Sequence, residues 1–265
     1  MRKALTIEFV YQVFALLLAV ILVHAAYVSV IRPRAEAVLA ENKALLAADK
    51  DAELKRSGYV ILRDYEQEAC FILMFWAFAI MAYKGVAAMR ERRLLDEELI
   101  SLAEGVRVLP EDAPRLSRQL AVLPQASQSL LLPRALTVAL HRFEATRSIQ
   151  DVSTATHAVC VAEAERLDAE LAMIRYIAWA IPSIGFIGTV RGIGEALGLA
   201  HKAVEGDITG VTENLGIAFN STLTALLISI VLMFVVHQLQ LAQERLVLET
   251  ENYCDEHLIR RLWTG

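Results

Sequence analysis

Four apolar blocks divide this chain of 265 residues, and each is long enough to cross a bilayer as a helix. They run over about 9–31, 69–89, 176–200 and 215–241. A hydrocarbon core of ~30 Å needs roughly 20 helical residues. The chain is 56% hydrophobic, and the excess lies in these blocks with charged stretches between them. That pattern is how an all-α integral membrane protein with four transmembrane helices is written. The net charge of −5 comes with no basic patch large enough for nucleic acid. Cys70, Cys160 and Cys254 lie far apart without metal-ligand or CxxC spacing, so they read as apolar fillers. No cofactor or metal is expected.

Met1-Arg2-Lys3 precedes the first block, which raises a cleaved signal peptide as an alternative. The block is long for such a leader, and Arg32-Pro33-Arg34 is not a small-residue cleavage site, so a retained span is expected. Arg90, Arg92 and Arg93 follow the second block and place its end in the cytoplasm. Both termini are then cytoplasmic, 32–68 lies outside, 90–175 inside, and 201–214 forms a short outer loop. Charge alone is a weak guide to this orientation, because 32–68 holds seven Lys/Arg against eight Asp/Glu. The loop 201–214, with one Lys and three acids, points the same way.

The expected organisation is a two-span hairpin over 1–89, with an outer segment 32–68 rich in helix formers and broken near Ser57-Gly58. A cytoplasmic helical region covers 90–175, the last two spans 176–241, and a cytoplasmic C-terminal helix 242–265. The cytoplasmic region opens with a helix to about Glu104, followed by a looser stretch punctuated by Pro110, Pro114, Pro124 and Pro133. From Asp151 to Ala200 only Pro182 interrupts, so one long helix is expected, with Glu163, Glu165, Arg166, Asp168, Glu170 and Arg175 solvated or paired between subunits. Lys84 can snorkel from the end of its span. No linker is long enough to separate domains, so a single structural unit is expected.

The chemistry concentrates in the last two spans. Gly185, Thr189, Gly192 and Ala196 fall at i, i+4, i+7 and i+11, one stripe on a helix. Gly188/Gly192 and Gly194/Gly198 are GxxxG pairs. Ala218, Thr222, Ala225 and Ser229 form a matching stripe on the fourth span, which also holds Asn220, Ser221 and Thr224. Small residues let helices approach closely in lipid. Two such faces carrying hydroxyls suggest a surface on which another helix sits, while ordinary helix packing explains the stripes equally. Arg191 and Glu195, one turn apart, can form an intramembrane ion pair, either structural or part of an ion route. His24 and His237 read as interfacial or packed rather than as relays. No acid is near Thr189 or Thr222 in sequence, so a proton path there needs a carboxylate from another chain.

Ile181-Pro182-Ser183-Ile184-Gly185-Phe186-Ile187-Gly188-Thr189-Val190-Arg191-Gly192-Ile193 resembles the penultimate-span motif of the MotA/TolQ/ExbB proton-channel family, particularly its TolQ/ExbB branch. Ala218-Phe219-Asn220-Ser221-Thr222-Leu223-Thr224-Ala225-Leu226 is similar to that family's last-span motif. The likeness covers 151–265 well and the upstream part by topology. It implies a homopentameric ring in the bacterial inner membrane around two helices of an ExbD/TolR/MotB-like partner, a single-span protein with a transmembrane aspartate. Thr189 and Thr222 match the threonines that face that aspartate, with Ser221, Thr224 and Glu195 as further ion-path candidates. Gly185, Gly188, Gly192, Ala218, Ala225, Ser229, Pro182 and Asn220 are candidates for packing or partner contact. Ion flow, H⁺ or Na⁺, then drives rotation and energy transduction. Three departures stand out: Arg191 occupies a place where that branch commonly has an aromatic residue, Ile217 stands where an acid is often found, and the first span is additional.

The competing reading is a non-conducting membrane scaffold that oligomerises through the small-residue faces. An enzyme or a substrate transporter is not expected, since no nucleophile–base pair, metal cluster, phosphate loop or inverted repeat is visible.

Overall fold

The apolar blocks form helices that run well past bilayer length. A computed structural model describes residues 2–48, 55, 57–100 and 106–264, with side chains from Ile7 onward. Helix α1 (Arg2–Ala26) passes through one π-turn (Tyr27–Ile31) into α2 (Arg32–Ala48). The π-turn comes just before Pro33, which has no N–H to donate to the preceding turn. Ser57 caps the short α3 (Gly58–Leu62) by accepting from the Tyr59 N–H, 3.3 Å away. Residues 49–54 and 56 lie outside the described residues.

Helix α4 (Tyr65–Arg93) carries Glu66 and Glu68 in its first turn and Arg90, Arg92 and Arg93 in its last, each sign at the end the helix dipole favours. The helix expected to reach Glu104 stops sooner. A 3₁₀ turn (Leu94–Asp96) ends it and Glu97 is extended, because Leu94, Leu95 and Leu99 turn onto an apolar core. Residues 101–105 lie outside the described residues.

The prolines of the looser stretch begin helices rather than preventing them. Pro110 opens a 3₁₀ turn, Pro114 lies in the first turn of α5 (Ala113–Ala121), Pro124 precedes α6 (Gln125–Gln128), and Pro133 lies in the first turn of α7 (Leu131–Thr146). A missing N–H costs nothing in a first turn. Helix α8 (Ile149–Glu170) is capped by Ser148, which accepts from the Asp151 N–H. It meets α9 (Ala172–Gly198) at the buried Leu171, where the expected single helix tightens for one residue. Pro182 lies inside α9 without ending it. After α10 (Ala200–Val204) the chain turns at Gly206, whose φ of 96° is open to glycine at no steric cost. Helix α11 (Thr209–His257) then begins inside the expected 201–214 loop.

Four helical stretches among the described residues are long and apolar enough to cross a membrane: Ile7–Ala48, Tyr65–Asp96, Ile149–Gly198 and Thr209–Arg261. The chain is a multi-pass membrane protein, all-helical among the described residues but for one β-bridge between Val108 and Leu262.

The chain packs as two compact units rather than one: Met1–Ala82 with Met173–Val236, and Tyr83–Ala172 with His237–Gly265. No linker marks the division, because long helices pass from one unit to the other. In the first unit, α1 is tied to α4 by the Tyr11 hydroxyl on the Ala79 carbonyl (3.1 Å) and the Trp76 indole on the Gln12 carbonyl (3.0 Å). Phe9, Phe14, Ile21 and Leu22 stay exposed, as residues on a lipid-facing helix do.

The second unit has its own apolar core. Leu116, Leu136, Leu140, Phe143 and Val152 pack with Tyr253 and Cys254. The Val108 N–H donates to the Arg261 carbonyl at 2.8 Å and the Trp263 N–H to the Val108 carbonyl at 2.9 Å, which closes the C-terminus onto this core. Charges expected to be solvated are paired inside the chain. Glu163 is only 3% exposed and accepts from Arg134 and Arg166. Lys84 does not snorkel: it is 5% exposed, with Nζ 2.9 Å from the Glu170 carboxylate. A long cation at a helix end reaches water only where nothing packs over it, and here α8 supplies the counter-charge.

Candidate functional site

The small residues of α9 and α11 face each other in antiparallel register. Gly185, Gly188 and Gly192 recur at i, i+3 and i+7, as do Ala218, Ser221 and Ala225. A methyl placed on Gly185 would lie 2.6 Å from the Ala225 Cβ, and on Gly192 2.9 Å from the Ala218 Cβ. At Gly188 it would meet the Ser221 Oγ at 2.5 Å. All six residues are buried. Only glycine permits so close an approach, which in lipid is a main source of helix affinity.

Of the two readings of the stripes, helix packing is the one the distances display. The stripes close on each other within the chain. Of the two GxxxG pairs, Gly188/Gly192 lies in the seam, while Gly194 and Gly198 face open space.

Thr189 and Thr222 lie at the edge of the seam, half-buried, with their hydroxyls hydrogen-bonded to each other. The Thr189 hydroxyl also reaches the carbonyls of Ala218 (3.0 Å) and Gly185 (3.2 Å), and that of Thr222 reaches Gly185 (3.1 Å). Ser221 donates to Ala218 at 2.9 Å, with the Gly185 carbonyl at 3.5 Å. Each hydroxyl owns a single proton and can also accept. The threonine pair therefore has two arrangements: Thr189 donates to Thr222 and Thr222 to Gly185, or Thr222 donates to Thr189 and Thr189 to Ala218. A short chain that can reverse its polarity is what relaying a proton requires.

Pro182 and Ser229 belong to the same seam. A proline at 182 leaves the Ala178 carbonyl without its i+4 donor. The Ser229 hydroxyl, 3.2 Å away, takes that donor's place. Thr224 is buried further round α11 and Asn220 is half-buried; the structure does not bring either into the threonine pair.

A carboxylate packed against the seam is one the sequence reading missed. Glu66 of α4 crosses over Gly188, where an added methyl would lie 3.2 Å from its Cγ. It binds Arg191 through two hydrogen bonds, Nε to Oε1 at 2.7 Å and Nη2 to Oε2 at 2.9 Å. The expected Arg191–Glu195 pair is present but is the weaker contact, a single bond of 3.2 Å on an exposed carboxylate. Two residues along α4, the buried Glu68 accepts from Arg32 and lies within hydrogen-bond distance of the His24 Nδ1, at 2.7 Å. Glu66 and Glu68 precede an apolar run without any helix breaker between, which is the signal that could have attached them to the span.

The model of a family described as the MotA/TolQ/ExbB proton channel family matches residues 127–252, a stretch that includes both sides of the glycine seam. No curated protein and no solved structure matches the chain.

Proposed function

We propose that this chain, whose residues 127–252 match the model of the MotA/TolQ/ExbB proton channel family, is a member of that family and the channel-forming subunit of an ion-driven energy-transducing complex. The observation that carries the reading is the Thr189–Thr222 hydroxyl pair at the edge of the α9–α11 seam. It presents a reversible donor–acceptor pair among otherwise apolar exposed neighbours such as Phe186, Val190, Phe219 and Leu223.

In this reading five copies form a ring in the bacterial inner membrane, with both termini cytoplasmic. Two helices of a single-span ExbD/TolR/MotB-like partner stand inside the ring, each with an aspartate that takes up H⁺ or Na⁺ opposite the threonines. Ion flow turns the ring about the partner and does work elsewhere in the envelope. The chain is not an enzyme and needs no cofactor. The seam supplies a rigid wall on which the hydroxyls are held, since backbones locked at glycine contact cannot separate without losing that packing. The rival reading, a scaffold assembled through its small-residue faces, cannot use Gly185, Gly188 and Gly192, which are already packed against Ala225, Ser221 and Ala218.

The test is ion flux through the complex in liposomes, together with its assembled size. Thr189→Ala and Thr222→Ala are expected to remove flux while the complex still assembles. Full flux in the doubly substituted complex would exclude these threonines from the path.

A further inference from the structure

We infer that Glu66 is this chain's own cation-accepting carboxylate, placed over Gly188 at the α9–α11 seam, with Arg191 as a counter-charge shared between Glu66 and Glu195. The assignment rests on the channel reading above.

Three observations carry it. Gly188 has no side chain, so the stem of Glu66 and the hydroxyl of Ser221 flank the same residue, and Thr189 is the next one. Second, Arg191 holds Glu66 by two bonds and Glu195 by one. Glu66, Arg191 and Glu195 together carry one negative charge more than positive, which a single H⁺ or Na⁺ neutralises. Third, the side chain of Glu66 is 12% exposed and that of Glu195 45%, so the inner carboxylate is sheltered and the outer one wet. A site through which a cation passes needs that gradient of exposure.

For a proton the steps balance. The proton bonds to a Glu66 oxygen, and the neutral carboxyl weakens its two bonds to Arg191. The guanidinium stays charged and keeps the Glu195 carboxylate as its partner, so no cation is stranded. The Glu66 proton then leaves for the partner-helix aspartate of the channel reading, and Glu66 returns to Arg191 as the anion. Other charges face this site. Asp64, just before α4, pairs with Arg63 at 3.6 Å, and Arg63 also reaches Glu213 of α11 at 3.4 Å. The Cys70 thiol lies one turn further along α4 and is buried. None of these binds Arg191 directly among the described residues.

The experiment reconstitutes the complex, purified from its own membranes with its copurifying subunits, into liposomes carrying pyranine or a sodium-sensitive dye. Glu66→Gln is expected to lower flux at least tenfold at unchanged assembled size. Arg191→Gln is expected to move the pH profile of flux to higher pH, because the carboxylate loses the guanidinium that holds it ionised. Native flux in Glu66→Gln overturns the assignment, and so does an unshifted pH profile in Arg191→Gln. If Glu66→Gln does not assemble, the Arg191→Gln profile decides. Recovery of native flux in Glu66→Gln/Arg191→Gln would make the pair purely structural and also overturn the proposal. A native complex that conducts neither ion overturns the channel reading itself, a result distinct from native flux in the variant.

Discussion

The Ser229 hydroxyl of α11 stands where the backbone N–H of residue 182 would be had α9 an ordinary residue there, donating to the Ala178 carbonyl at 3.2 Å. Proline in a helix interior both strands a carbonyl and crowds it, and a membrane offers no water to repair the loss. The two residues are therefore coupled although they are far apart in sequence. Ser229→Ala is expected to cost about 1 kcal/mol of thermal stability in detergent. In a Pro182→Ala background the restored N–H makes the serine dispensable, and the same substitution should cost no more than a few tenths. Equal costs in the two backgrounds would show that the hydroxyl does not serve that carbonyl.

The seam makes a demand at Gly188 that Gly194 escapes. Gly188→Ala has to displace both Ser221, at 2.5 Å, and Glu66, at 3.2 Å, so a loss of about 1–3 kcal/mol is expected, with weaker assembly. Gly194→Ala meets nothing within 4 Å and should be neutral or slightly stabilising. Thermal unfolding of the two single variants checks the contrast. A tolerated Gly188→Ala would mean that α9 and α11 do not pack in this register.

The spans and the small-residue stripes were legible in the sequence because both depend on spacing along one helix. Thr189 and Thr222 were legible as well, since a hydroxyl in an apolar run has few neighbours to compete for attention. Their pairing within one chain was not, because a stripe of glycines does not say whether its complement is the next helix or a neighbouring subunit. Glu66 escaped for a different reason. It lies 125 positions from Arg191, and an acid just before an apolar block reads as loop. In the second unit, prolines concealed short helices whose apolar residues gather into one core only after folding. Glu163 and Lys84 looked solvated because single charges usually are; their burial depends on partners 29 and 86 residues away.

Glu163 gives the second unit a pH dependence of definite sign. It lies outside the 176–200 span. Burial alone would push its carboxyl up, but hydrogen bonds from Arg166 and Arg134 more than offset this and hold it below the ordinary glutamate range. The unfolded chain thus binds this proton more readily than the folded one. The stabilisation is fully present above the unfolded value of about 4.3 and fades as the pH falls through the lower folded value. Glu163→Gln should cost about 2 kcal/mol near neutrality. The gap in unfolding temperature between the native chain and the variant should narrow as the pH is lowered from 6 towards about 3. A gap constant over that range would mean that the carboxylate's charge contributes nothing.

Arg147 closes α7 in the left-handed region, with φ 53° and ψ 25°, and its N–H donates to the Phe143 carbonyl at 2.9 Å. Such a residue satisfies the last turn of a helix, but a side chain there carries a steric cost that glycine avoids. Its only ion pair among the described residues, with Glu111 at 3.8 Å, is exposed on both sides and adds little. Arg147→Gly loses that weak pair and gains backbone freedom in the unfolded state, which is unfavourable, yet relieving the strain of a non-glycine residue at this φ outweighs both. The expected result is a gain of about 0.5–1 kcal/mol. Arg147→Val should lose at least as much, since a β-branched residue suits a positive φ worst of all. The order Gly above Arg above Val in thermal unfolding tests the αL turn itself. If Arg147→Gly were the less stable, the cation at the helix C-terminus would be worth more than the strain, and the α7–α8 corner would be held by charge rather than by backbone geometry.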